Sequence, residues 1–144
     1  RVVIVRMGII LTPAGGALQR MLLPFRLGLG GPLGSGRQWL SWVAADDAVG
    51  AVHHALMTED LAGPVNVTAP EPVRGREFAA TLGRVLRRPA LLPAPAAGLR
   101  LLFGEMADVA LLASQRVIPA RLLESGYGFR FPALEGALRH LLGR

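Results

Sequence analysis

The stretch Arg1-Val2-Val3-Ile4-Val5-Arg6-Met7-Gly8-Ile9-Ile10-Leu11 decides the fold. It is a run of β-branched and aliphatic residues with little polar alternation. A strand reads this way when it lies inside a parallel sheet and is covered on both faces. The run gives way to a loop at Thr12-Pro13, and residues 15–27 follow with Leu18, Met21, Leu22 and Phe25 at helical spacing. A second strand is expected over 38–43. A helix comes next, with Asp46 or Asp47 as its cap and Val49, Val52 and Leu56 along one side. Gly63-Pro64 stops that helix, and residues 65–68 form a compact third strand. The order strand, helix, strand, helix, strand is that of an α/β protein with parallel pairing.

After Pro70 the character changes. Residues 77–86 are amphipathic, with Phe78, Leu82, Val85 and Leu86 on one stripe. A proline-punctuated tract over 89–95 leads to helices expected near 97–103 and 105–114. Pro119 suits the first turn of a further helix that Gly126 can end, and Pro132 precedes the last one. The chain therefore divides into residues 1–70, holding sheet strands and a connecting loop, and residues 71–144, mainly helical.

Composition narrows the function. Sixteen arginines, no lysine and 10 acidic residues give a net charge of +6. The basic residues are dispersed along the chain, and the tightest group, Arg84, Arg87 and Arg88, ends a helix where cations oppose its dipole. That pattern argues for solvated faces and against a specific nucleic-acid partner. With no cysteine there are no disulfides, thiolate metal sites or cysteine nucleophile, which fits a cytoplasmic protein. Residues 7–19, the longest charge-free stretch, contain a proline and two more glycines near their end, so no membrane span is expected. His53 and His54 are adjacent on a helix and diverge, so a metal site is not expected.

Gly30, Gly34 and Gly36 have the spacing of a dinucleotide fingerprint, yet a helix precedes them and a strand follows. The fingerprint needs the reverse order, so that a helix N-terminus faces the pyrophosphate. The loop over 28–36 is either a plain connection or a segment that closes over a ligand. Trp39 and Trp42, three apart on a strand, point to opposite faces; one belongs to the core and one to a pocket. Arg37 and Gln38 offer a contact to phosphate or hydroxyls, while an exposed loop arginine is the favoured reading of Arg37. No serine has the context of an activated nucleophile.

The strings RMGIILTPAGGAL, LGLGGPLGSGRQWLSWV, GPVNVTAPEPV, EFAATLGRVLRRPALLPAPA, GEMA and SQRVIPARLLESGYGFRFPALEGAL together resemble one family. It is the epimerase family, a sugar-nucleotide epimerase-like subgroup of the atypical or extended NAD(P)-dependent short-chain dehydrogenases/reductases, and the resemblance covers essentially all of the chain. It implies the C-terminal part of a Rossmann-like parallel sheet plus a mainly helical substrate or cap domain. Family members activate substrate with a tyrosine and a lysine one helical turn apart. With Tyr127 the only tyrosine and no lysine, this chain lacks that pair. The expectation is a C-terminal fragment whose glycine loop and catalytic pair lie upstream, with NAD(P) bound mainly by that missing half. Such a fragment is not catalytic alone, while the whole would be an oxidoreductase or isomerase.

By the same resemblance Arg6, Gly8, Ile9, Ile10 and Leu11 contact the cofactor, chiefly through the backbone. Gly31, Gly34, Gly36, Arg37, Gln38 and Trp39 form the substrate-side loop. The partner implied is a small-molecule substrate, with a homo-oligomer left open. Two departures stand out: Leu40-Ser41 replaces an arginine-aspartate pair whose arginine holds a nucleotide phosphate in related epimerases, and Ala44 replaces a histidine before the aspartates. A second reading keeps the fold but makes the protein a non-catalytic, division-associated interaction module. If the fragment reading holds, residues 1–6 and 65–68 lack sheet neighbours and leave an apolar edge.

Overall fold

The computed structural model describes residues 1–144. The opening run does form parallel sheet, but in two pieces. β1, Val3–Met7, pairs in parallel with β5, Gly63–Val67, with Val5 opposite Val65. β2, Ile9–Leu11, pairs in parallel with β4, Trp42–Ala44. Between them the Gly8 N–H donates to the Val67 carbonyl at 3.0 Å and the Ile9 N–H to that of Ser41 at 2.8 Å. Gly8 is where the chain leaves one neighbouring strand and joins the other. The strand expected over 38–43 is likewise broken, at Ser41. Its first part, β3, Trp39–Leu40, runs antiparallel to β6, Val73–Arg74.

The helices fall where periodicity placed them, with two corrections. α1, Gly16–Arg26, buries Leu18, Met21, Leu22 and Phe25. α2, Ala45–Met57, starts from an extended Ala44, so both aspartates sit inside its first turn and neither caps it. The expected apolar side of α2 is also not its buried one: Val49 is 72% exposed and Leu56 68%. Ala48, Ala51 and Ala55 face inward instead, and their small side chains let the helix lie close to Val43, Val65 and Val67. At its far end the Arg1 guanidinium donates to the carbonyls of Ala55, Leu56, Thr58 and Leu61. A cation there offsets the helix dipole.

α3, Gly75–Leu86, buries Phe78, Ala79, Leu82, Val85 and Leu86 against α1 and against α6, Leu134–Leu142. Each large side chain contributes roughly 1.5–3 kcal/mol of burial. On the rim, Glu135 of α6 accepts from Arg139 and Arg84, and those bonds hold its carboxyl below the usual range. Its contribution is present above the ordinary glutamate range and lost as pH falls through the lowered value. α4, Ala96–Phe103, and α5, Ala120–Glu124, complete the helices. Over 105–114 the chain forms a π-helical turn at Ala107–Leu112. No helix is long and apolar enough to cross a membrane.

Candidate functional site

Where β1 passes into β2 the sheet opens a pocket of about 390 Å³. Gly8, Ile9 and Ile10 form one wall, Trp39, Ser41 and Gln115 another, and Met106, Val109 and Ala110 of the π-helical region a third. The floor is tight. A Cβ on Gly8 would stand 2.7 Å from the Ser41 carbonyl oxygen and 2.8 Å from Thr68 Cγ2, so only glycine lets the strands change neighbours here.

Ser41 ties a distant segment to the sheet. Its hydroxyl donates to the Gln115 carbonyl at 2.7 Å and accepts from the Val117 N–H at 2.8 Å. Trp39 is tied alongside, its N–H donating to Ser114 Oγ and its carbonyl accepting from Gln115 N. These bonds fix the 113–117 segment over the sheet and so set the width of the pocket. The Trp39 ring lines the pocket between two guanidinium groups, Arg74 at 4.1 Å and Arg116 at 5.0 Å from its centroid. Trp42 is buried, its indole N–H donating to the Glu71 carbonyl. The two tryptophans divide between pocket and core as their alternation predicts.

The structure thus brings Gly8, Ile9, Ile10 and Trp39 together. It does not bring the others. Arg6 is exposed on β1, outside the pocket lining, and Leu11 is a core residue. Gly31, Gly34 and Gly36 do not line this pocket; Gly31 and Gly34 make a seam with the proline tract, and Gly36 lies against Arg76. Leu92 N–H donates to Gly30 O, Ala94 N–H to Pro32 O, and Gly34 N–H to Ala94 O. A side chain on Gly31 would fall on the Leu92 carbonyl, and one on Gly34 would meet Leu112 at 2.8 Å. The glycines are there because two backbones touch. Arg37 is exposed and offers its carbonyl to the Arg74 guanidinium. Gln38 is buried, its amide nitrogen donating to Leu33 O at 2.8 Å and Leu111 O at 3.0 Å, so it pins the π-helical turn.

Sequence reasoning missed Ser41, Gln115 and the Met106–Ala110 wall as pocket residues. None has a local spacing that announces it, since the pocket forms only when the 105–117 segment folds back over β3. It also missed the real part played by Asp47. That carboxylate is fully buried and accepts from the backbone N–H groups of Arg130 and Phe131, each at 2.9 Å, and from the Tyr127 hydroxyl at 3.0 Å. Burial, then the hydrogen bond to Asp47 and its charge, push the Tyr127 phenol far above its ordinary range. Its hydroxyl, bonded to both the carboxylate and the carbonyl of Asp47, anchors the 127–131 segment to α2.

One pH dependence follows from that shift. The folded phenol is raised above its ordinary 10.0, so its contribution is complete below that value and is lost as pH climbs from there toward the folded one. We expect the melting temperature to fall above about pH 10 more steeply in the parent protein than in Tyr127→Phe. Parallel pH–Tm curves would contradict this.

The site is thus an apolar pocket where two parallel strand pairings meet, capped by helices. Residues 94–141 match the family described as Domain of unknown function (DUF1731). The chain is 45% identical over 142 residues to the human epimerase family protein SDR39U1, covering 99% of this chain and 48% of that protein. It is 44% identical over 144 residues to the Mycobacterium bovis epimerase family protein Mb2239, again 48% of the relative. A crystal structure of the human protein (isoform 2) with NADPH superposes at a TM-score of 0.90, with 44% identity over 98% of this chain and 48% of that one. Over essentially its whole length the chain is similar to epimerase family proteins, and it spans about half the length of the curated relatives it matches.

Proposed function

We propose that this chain is the C-terminal, substrate-side half of an NAD(P)-dependent epimerase-family oxidoreductase or isomerase, working in the cytoplasm. In that reading residues 1–70 complete the nucleotide-binding sheet and residues 71–144 cap it. The observation that carries the reading is the pocket itself: Gly8, Ile9 and Ile10, the expected cofactor side, and Trp39, the expected substrate side, face one space. Its volume of about 390 Å³ lies within the range of small-molecule sites, about 300–1,000 Å³.

The lining suits a flat, weakly polar ring. Ile9, Ile10, Met106 and Val109 supply apolar contact, while Ser41, Gln115 and the main chain at 8–10 supply the few polar atoms. The glycine loop offers no pyrophosphate cradle, because the proline tract fills it. The fit is therefore to the nicotinamide end, with the rest of the cofactor held by the other half of the protein. When bound, the nicotinamide would supply the hydride chemistry. The work left to these residues is to orient the ring and substrate and to exclude water, with Trp39 forming the substrate wall.

Titrating the full-length protein with NADPH and NADH tests this. Binding of at least one is expected, and saturation by neither sinks the reading. In the same protein Trp39→Ala is expected to raise the KM of any substrate roughly tenfold while leaving cofactor affinity within about twofold. An equal loss of both would place Trp39 outside the substrate wall.

A further inference from the structure

No acidic residue occurs over 1–45 or over 78–104, and the fold lays parts of these two stretches side by side. Arg88 Nε donates to Arg26 O, Leu92 N–H to Gly30 O, and Arg20 Nη1 to Leu102 O. Along this seam Leu27, Leu29, Leu91, Leu92, Leu101 and Leu102 are between 52% and 89% exposed. Arg20, Arg26, Arg87 and Arg88 stand among them. The ion pairs of the chain use Arg84, Arg100, Arg139 and His140, so these four guanidinium charges have no carboxylate against them. Where Arg20 and Arg88 bond, they bond to carbonyls, which leaves their charge uncompensated.

We propose that this face docks on the surface of an anionic lipid bilayer. Exposed leucines would enter the boundary between headgroups and acyl chains, and the arginines would meet the lipid phosphates. Apolar area joined to an unbalanced basic rim is the physical signature of interfacial binding. Other occupants fit less well. In a twofold pairing of this chain the same cationic face would meet itself, with no carboxylate to relieve the repulsion. Leucines offer nucleic acid neither hydrogen bonds nor stacking. Leu91 at 82% and Leu101 at 89% exposure protrude from the surface, and a bilayer accepts protrusions without a matching contour.

The test is flotation of the full-length protein with vesicles of phosphatidylcholine alone and of phosphatidylcholine mixed with phosphatidylglycerol. Binding is expected only to the anionic vesicles and should weaken as salt rises. Leu91→Ser with Leu101→Ser, two positions too exposed to matter for folding, should weaken it about tenfold or more. Arg87→Gln with Arg88→Gln should weaken it roughly fivefold per charge. Val49→Ser, on the exposed apolar side of α2, should leave it unchanged and controls for adhesion through that face. The proposal is overturned by equal binding to neutral vesicles, by no binding, or by binding that the double leucine variant retains. It is equally overturned if those leucine changes instead dissolve a dimer or release an acidic protein while vesicles are not bound.

Discussion

Asp47→Ala is expected to lower the unfolding free energy by about 3–5 kcal/mol. The residue is fully buried, and its two oxygens serve three donors: the N–H groups of Arg130 and Phe131 and the Tyr127 hydroxyl. Alanine leaves all three inside the protein with no acceptor, and each orphaned donor costs about 1–3 kcal/mol. The damage should not stay local. The 127–131 segment holds α6 at the right distance from α2, with Phe131 stacked on His140 at 4.4 Å and His140 bonded to Asp46 at 2.6 Å. Asp47→Asn keeps one acceptor but turns an amide toward another donor, so it should lose about half as much. Urea titration of the three proteins orders them: an alanine variant within about 1 kcal/mol of the parent would show that the segment is held by packing alone.

Gly31→Ala is expected to cost about 1–3 kcal/mol. The added methyl would land on the Leu92 carbonyl, which is backbone and cannot rotate aside. One of the two strands of the seam must move, and the bonds Leu92 N–Gly30 O and Ala94 N–Pro32 O move with it. A useful contrast is Gly136→Ala in α6, where nothing lies within 4 Å of the new atom. There alanine should stabilise by about 0.4–1 kcal/mol, through lost freedom of the unfolded chain. If both substitutions shifted the melting point in the same direction, the contact at Gly31 would be absent in solution.

What could be read from the sequence depended on how far its cause lay along the chain. α3 was legible because its burial stripe is set by residues three and four apart. The parallel pairing of β1 was legible because an unalternating apolar run has few other uses. The interruption at Gly8 was not, since it arises from the Ser41 carbonyl and Thr68, which are close only in space. Asp47 looked like a cap because a cap is local, whereas its true partners lie some eighty residues further on. The valine side of α2 looked like a core face by hydropathy, but small alanines win wherever a helix must lie close to a sheet. The glycine loop carried the spacing of a phosphate cradle while its glycines answered to a neighbouring backbone. Of the pocket, the wall at Gly8–Ile10 and Trp39 was foreseen, and the wall contributed by 105–117 was not.

The register that sets Val5 beside Val65 has a kinetic cost. β1 bonds on this side to a strand some sixty residues further along, so these hydrogen bonds wait until that much more chain has been synthesised. During that interval the apolar strand offers this edge to other strands, so mispairing before β5 emerges is the hazard the register carries.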